Sequence, residues 1–267
     1  MNAARTTFPR VLRSEWIKMR TLRSTWITVA AILLAIIGFG LLSAMVASGD
    51  LRPDGQGGGP PAAARSPLAI VLTGANFAVL IVAVMGAVAG AREFSSGMIR
   101  TTFSVVPTRL PVLWSKLLVF TAIVLPVVMA GIIVAFFSGM AVLRGGGVDS
   151  LAWTDDGVAR SVVGTGYYIL GLGIIGLAIG LMLRTTAASI GVVIGAVLFL
   201  PALASALLPE SWDEVLKYLP SNAGQAFTST GMPRSILLEP GWGLAVFTAW
   251  VVLAIAGAAF VLSRRDA

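Results

Sequence analysis

Residues 26–47 read WITVAAILLAIIGFGLLSAMVA, without a charged residue among them. A helix of that length is about 33 Å long at 1.5 Å per residue, enough to cross the hydrocarbon core of a bilayer. Working outward, five more apolar runs follow, at 67–91, 113–143, 161–183, 187–208 and 241–262. The third is longer than a span needs, and Pro126 inside it is a potential kink because proline removes a helix hydrogen bond. The chain has 267 residues, of which 57% are hydrophobic and 12% charged, half the charged share of an ordinary soluble domain. The fold class that follows is an all-α membrane protein with six transmembrane helices in a single transmembrane domain, 1–267.

Lysine and arginine sort between the two ends of these runs. Segments 1–25, 92–116, 184–186 and 263–267 hold 13 of the 19 basic residues, with only Glu15, Glu93 and Asp266 as acids. The other connections, 48–66, 144–160 and 209–240, carry six basic residues against nine acidic ones. The positive-inside rule makes the first set cytoplasmic, and an even number of spans then places both termini there, in a multi-pass protein expected in the plasma membrane. About 25 residues precede the first run, which is also longer than the apolar part of a signal peptide, so it is expected to stay in the mature protein.

The connections differ in kind. Asp54-Gly-Gln-Gly-Gly-Gly-Pro-Pro61 cannot form a packed core and reads as a flexible outer loop. Residues 184–186 leave only a tight turn, which makes the fourth and fifth spans antiparallel neighbours. The 209–240 connection places Trp212, Leu216, Tyr218, Leu219 and Phe227 among polar residues, the pattern of one or two short helices at the outer interface. Residues 10–24, ahead of the first run, put Leu12, Trp16, Met19, Leu22 and Trp26 on one side of a helical wheel, with Glu15 and Arg23 intruding on it. That segment reads as an amphipathic helix lying in the cytoplasmic interface, or else as a plain basic anchor.

Several functions lose their chemistry here. With no cysteine and no histidine, thiolate and imidazole metal sites, cysteine nucleophiles and disulfides are excluded, and no metal site is expected. No Gly-x-x-x-x-Gly-Lys-Ser/Thr cradle for ATP phosphates occurs, nor a His-Glu-x-x-His helix or Gly-x-Ser-x-Gly elbow, so no catalytic residue is assigned and the chain is not expected to be an enzyme. The net charge of +7 flanks apolar spans rather than striping a soluble domain, which argues against nucleic acid. All acidic residues fall outside the six runs, which disfavours an ion-coupled carrier. Asn76 and Phe77 in the second run, with Phe199 and Leu203 in the fifth, are candidate lining of a substrate path, and ordinary helix packing is the competing account. Gly86-x-x-x-Gly90, Gly176-x-x-x-Gly180 and Gly191-x-x-x-Gly195 read as close helix packing or dimerisation, or as coincidence in a chain with 30 glycines.

The distinctive connection joins the second and third runs: Arg92-Glu-Phe-Ser-Ser-Gly-Met-Ile-Arg-Thr-Thr-Phe-Ser-Val-Val-Pro-Thr-Arg109, with Lys116 beyond it. Glu93 to Phe103 can form a short surface helix, with Phe94, Met98 and Ile99 offering apolar contact, Gly97 allowing close approach and Pro107 closing the unit.

At Glu93, Gly97, Ile99, Arg100, Thr101, Pro107, Arg109 and Lys116 the chain resembles the permease subunits of type-2 ATP-binding-cassette (ABC) exporters. The basic amphipathic start, the near-absent fourth connection and the stretch Tyr218-Leu-Pro-Ser-Asn-Ala-Gly-Gln225 extend the likeness over nearly the whole chain. The resemblance implies that 92–111 is a cytoplasmic coupling helix docking on a separate ATPase subunit, present in two copies. Its docking residues would be Arg92, Glu93, Phe94, Gly97, Met98, Ile99, Arg100, Thr101, Thr102, Phe103, Pro107 and Arg109. It also implies that two permease copies, identical or homologous, form the path among membrane lipids. This chain would bind no cofactor, ATP and magnesium sitting on the partner. The expected function is export of a hydrophobic or amphipathic substrate. The alternative is a membrane anchor or sensor subunit of a partner complex that transports nothing.

Overall fold

The computed structural model describes residues 7–49, 66–95, 110–207, 209, 212–230 and 237–264, which form helices and connecting turns with no strand among them. Among the described residues ten helices follow one another: α1 Phe8–Thr21, α2 Arg23–Ser48, α3 Pro67–Val71, α4 Thr73–Ser95, α5 Leu110–Gly145, α6 Val158–Leu183, α7 beginning at Thr186, α8 Asp213–Leu216, α9 Pro220–Thr228 and α10 Pro240–Arg264. Six of them, α2, α4, α5, α6, α7 and α10, are long and apolar enough to cross a membrane. The chain is therefore a multi-pass, all-α membrane protein. The six helices coincide with the six apolar runs, apart from their ends.

Those ends carry the differences. The second run is divided at Leu72, where α3 stops and α4 begins one residue later. Thr73 there turns its hydroxyl onto the Ala69 carbonyl at 3.0 Å and shares a 3.3 Å bond with Ser43 of α2, a local alternative to regular helix bonding. Helix α4 also runs on to Ser95, so Glu93 sits in its last turn rather than beyond it. Helix α5 passes through Pro126 as a single 36-residue helix, about 54 Å long and longer than a bilayer core is thick. In α7, residues Gly195–Phe199 form a π-turn just before Pro201, which has no N–H and would clash with the carbonyl four residues back. A second π-turn, Leu34–Gly38, lies in α2, and Gly74 of α4 packs directly on its Ala35 and Ile36 carbonyls.

The centre of the bundle is a seam between α4 and α6, which run parallel with their backbones in contact. Gly86 and Gly90 of α4 face Gly173, Gly176, Leu177 and Gly180 of α6, and a methyl group on Gly86, Gly90, Gly176 or Gly180 would run into a backbone carbonyl of the other helix. Two of the three small-residue motifs thus meet each other within one chain. The third, Gly191 and Gly195 on α7, has open space beside it. Around the seam, α2 and α5 close one side, and α10 with the short α9 closes the other, through Phe227, Phe247, Tyr167 and Tyr168.

Candidate functional site

The face of the bundle that bears both ends of the described chain is the basic one. At Leu22, with ψ of 120°, the backbone turns off helix, so α1 leaves the axis of α2 and lies against the start of α5, Val11 touching Val112. This elbow decides which side of α1 is buried. Val11 and Glu15 face the bundle, Lys18, Met19 and Leu22 are half-buried, and Trp16 and Ile17 are exposed. The wheel read from sequence is corrected here: Glu15, taken as an intruder, is the centre of the buried face, and Trp16 lies outside it.

What receives Glu15 is a ring of four charges from three helices. Lys116, in the second turn of α5, donates to Glu93 Oε1 at 2.6 Å and to Glu15 Oε2 at 2.9 Å. Lys18 donates to Glu15 Oε1 at 2.7 Å and to Glu93 Oε1 at 3.0 Å. Glu15, Glu93 and Lys116 are 4%, 6% and 7% exposed, so the ring exists because each charge has an opposite partner on either side; a lone buried charge would cost several kcal/mol. Burial alone would lower the Lys18 ammonium, but its hydrogen bond and charge contact with Glu15, with Glu93 adding to both, hold it above the ordinary value of 10.5.

The ring stands at both stems of the 96–109 segment, since Glu93 lies in the last turn of α4 and Lys116 in the second turn of α5. Beside it, the half-buried Phe94 carries the Arg184 guanidinium 5.0 Å from its ring centroid. Arg184 is the left-handed residue, φ 61°, that ends α6, where its N–H closes on the Gly180 carbonyl. Arg92 is exposed and lines a cavity with Glu93. Of the docking residues read from sequence, Arg92, Glu93 and Phe94 are thus placed, and Glu93 faces inward on its own chain rather than outward. Gly97, Met98, Ile99, Arg100, Thr101, Thr102, Phe103, Pro107 and Arg109 lie outside the described residues.

The opposite half of the bundle holds an uncharged crevice of about 440 Å³ between α3, α4, α6 and α9. Asn76 lines it with Thr165, Tyr168, Gln225, Thr228 and Thr230. Helix α9 is set there by Pro220 at its first turn, by Asn222 Nδ2 donating to the Leu216 carbonyl at 2.8 Å, and by Trp250 Nε1 donating to the Tyr218 carbonyl at 2.8 Å. Gly224 takes the Tyr168 ring so closely that no side chain fits. Phe77 instead stacks on Phe39 of α2, centroids 4.3 Å apart. Phe199 and Leu203 are exposed on α7 and do not line the crevice, so the four candidate path residues are not brought together. Sequence reading missed Tyr168 and Thr228, whose signal was hydroxyls one helical turn from Thr165 and Gln225.

Compared with protein-family models and with curated proteins, the sequence matches none.

Proposed function

We propose that the chain is the membrane-spanning subunit of an ATP-driven exporter, with nucleotide hydrolysed on a separate ATP-binding-cassette subunit. The observation that carries this reading is the charge ring at the stems of the 96–109 segment. A loop that only joined two spans would not need a ring of four charges, three of them buried, at its base. A loop that is pulled or pushed by a partner does, because the ring fastens both stems to each other and to α1, so displacement there moves three helices together. In this reading 92–111 docks on the ATPase from the cytoplasm, ATP and magnesium act on that partner, two such permease chains assemble, and both termini lie in the cytoplasm of a plasma-membrane protein. The crevice at Asn76, uncharged and lined by Leu68, Leu72 and Val79 as well as by hydroxyl and amide groups, offers the far end of the path to a hydrophobic or amphipathic substrate.

The test is capture of the partner. Purified in mild detergent, the chain should bring down an ATP-hydrolysing subunit. Gly97→Trp, which adds bulk to the docking segment, should cut that capture at least tenfold and abolish export, while the chain accumulates normally. Gly58→Trp in the outer loop serves as control. A stable complex without ATPase activity, together with unchanged efflux in a deletion strain, would establish the anchor or sensor role instead.

A further inference from the structure

A second cavity, of about 600 Å³, lies under the elbow of α1 and α2 on the basic face, in the size range of small-molecule sites. Its two ends are chemically opposite. One wall is the stripe Ile81, Val84, Met85 and Val88 of α4, the side turned away from the glycine seam and therefore uncovered by α6. The head is formed by Lys18, Lys116 and Arg92, three cations against the two carboxylates Glu15 and Glu93, with the hydroxyls of Ser24, Thr25 and Thr28 below them. Exposed Trp16 and Trp26, with Trp26 Nε1 donating to the Arg20 carbonyl at 2.9 Å, mark this level as a membrane–water interface, where tryptophan rings settle.

We infer that this cavity is a binding site for one anionic phospholipid, its phosphate held by Lys18 and Arg92 and an acyl chain lying along Ile81, Val84, Met85 and Val88. The charge balance selects the occupant. The lining sets three cations, Lys18, Arg92 and Lys116, against two carboxylates, Glu15 and Glu93, a net excess of one positive charge at headgroup depth, where each basic residue favours an anionic lipid about fivefold. The apolar wall is long enough to hold a chain and too dry to favour a water-soluble phosphate. The site needs no ATPase partner and stands independently of the exporter reading.

Native mass spectrometry of the chain released from bilayer discs of equal phosphatidylglycerol and phosphatidylcholine tests it. Retention of one phosphatidylglycerol per chain, at least about fivefold over phosphatidylcholine, is expected. Val88→Trp, which fills the wall, should lower that retention about tenfold, while Val252→Trp, on an exposed face of α10, should not change it. Lys18→Gln should reduce the preference and Lys18→Arg preserve it. Glycerol 3-phosphate at millimolar concentration should leave the lipid bound. Equal retention of the two lipids, wild-type retention by Val88→Trp, or displacement by glycerol 3-phosphate alone would each overturn the assignment.

Discussion

Lys116 is the residue on which the basic face turns, because it alone contacts both buried carboxylates with almost no solvent of its own. Lys116→Met leaves Glu15 and Glu93 with Lys18 between them, and breaking a buried pair in this way costs about 3–5 kcal/mol. Unfolding in a detergent titration should show that loss. Lys217→Met removes an ion pair whose carboxylate, Glu214, is 82% exposed, and it should change stability by less than about 1 kcal/mol. Lys18 adds a pH signature. A lysine whose pKa is raised on folding contributes stability that is complete below 10.5 and is lost as the pH climbs through the raised value. The melting temperature should therefore hold level from neutral pH to about 10 and fall above it, and Lys18→Arg, which does not titrate there, should flatten part of that fall. None of this ring was legible in sequence as a unit. Glu15 and Lys116 stand 101 positions apart, and periodicity along one helix says nothing about which face another helix will cover. The visible trace was a carboxylate centred on an otherwise apolar helix face.

At the scale of the helix, length and composition were sufficient to find the six spans, since a bilayer demands about 20 apolar residues whatever the neighbours are. What composition could not supply was which glycines touch. Gly86, Gly90, Gly176 and Gly191 look alike in the chain, yet the first three face a backbone and the last faces open space. Gly90→Val should force α4 and α6 apart, at a cost of about 3 kcal/mol or more, and leave little monodisperse protein by fluorescence-detected size exclusion. Gly191→Val should elute like the parent. The break at Leu72 and the π-turn before Pro201 were likewise beyond an apolar-run reading, because each turns on one residue, the Thr73 hydroxyl in the first case and the missing N–H of Pro201 in the second, inside a run long enough to span either way.

For the molecule as a whole, burial is uneven: the apolar stretches of α4 and α6 are 56% and 61% buried and that of α7 only 11%, so the bundle packs around the α4–α6 pair and leaves α7 at its edge. In a bilayer the exposed leucines and phenylalanines of α2, α7 and α10 meet acyl chains as apolar as themselves and need no other cover. Orientation is open to direct measurement, since the chain lacks cysteine and a single introduced thiol reports cleanly. An impermeant maleimide applied to intact cells should label Thr154→Cys and spare Ser263→Cys; the reverse pattern would invert the topology. The glycine seam has a mechanical consequence as well. Where two helices touch backbone to backbone, no side chains stand between them to shear or repack, so α4 and α6 tilt as one stiff strut. Such a strut ends in Glu93 and Arg184 on the basic face and carries Asn76 and Tyr168 at the crevice, so a tilt applied at the charges is carried undiminished to the far end of the bundle.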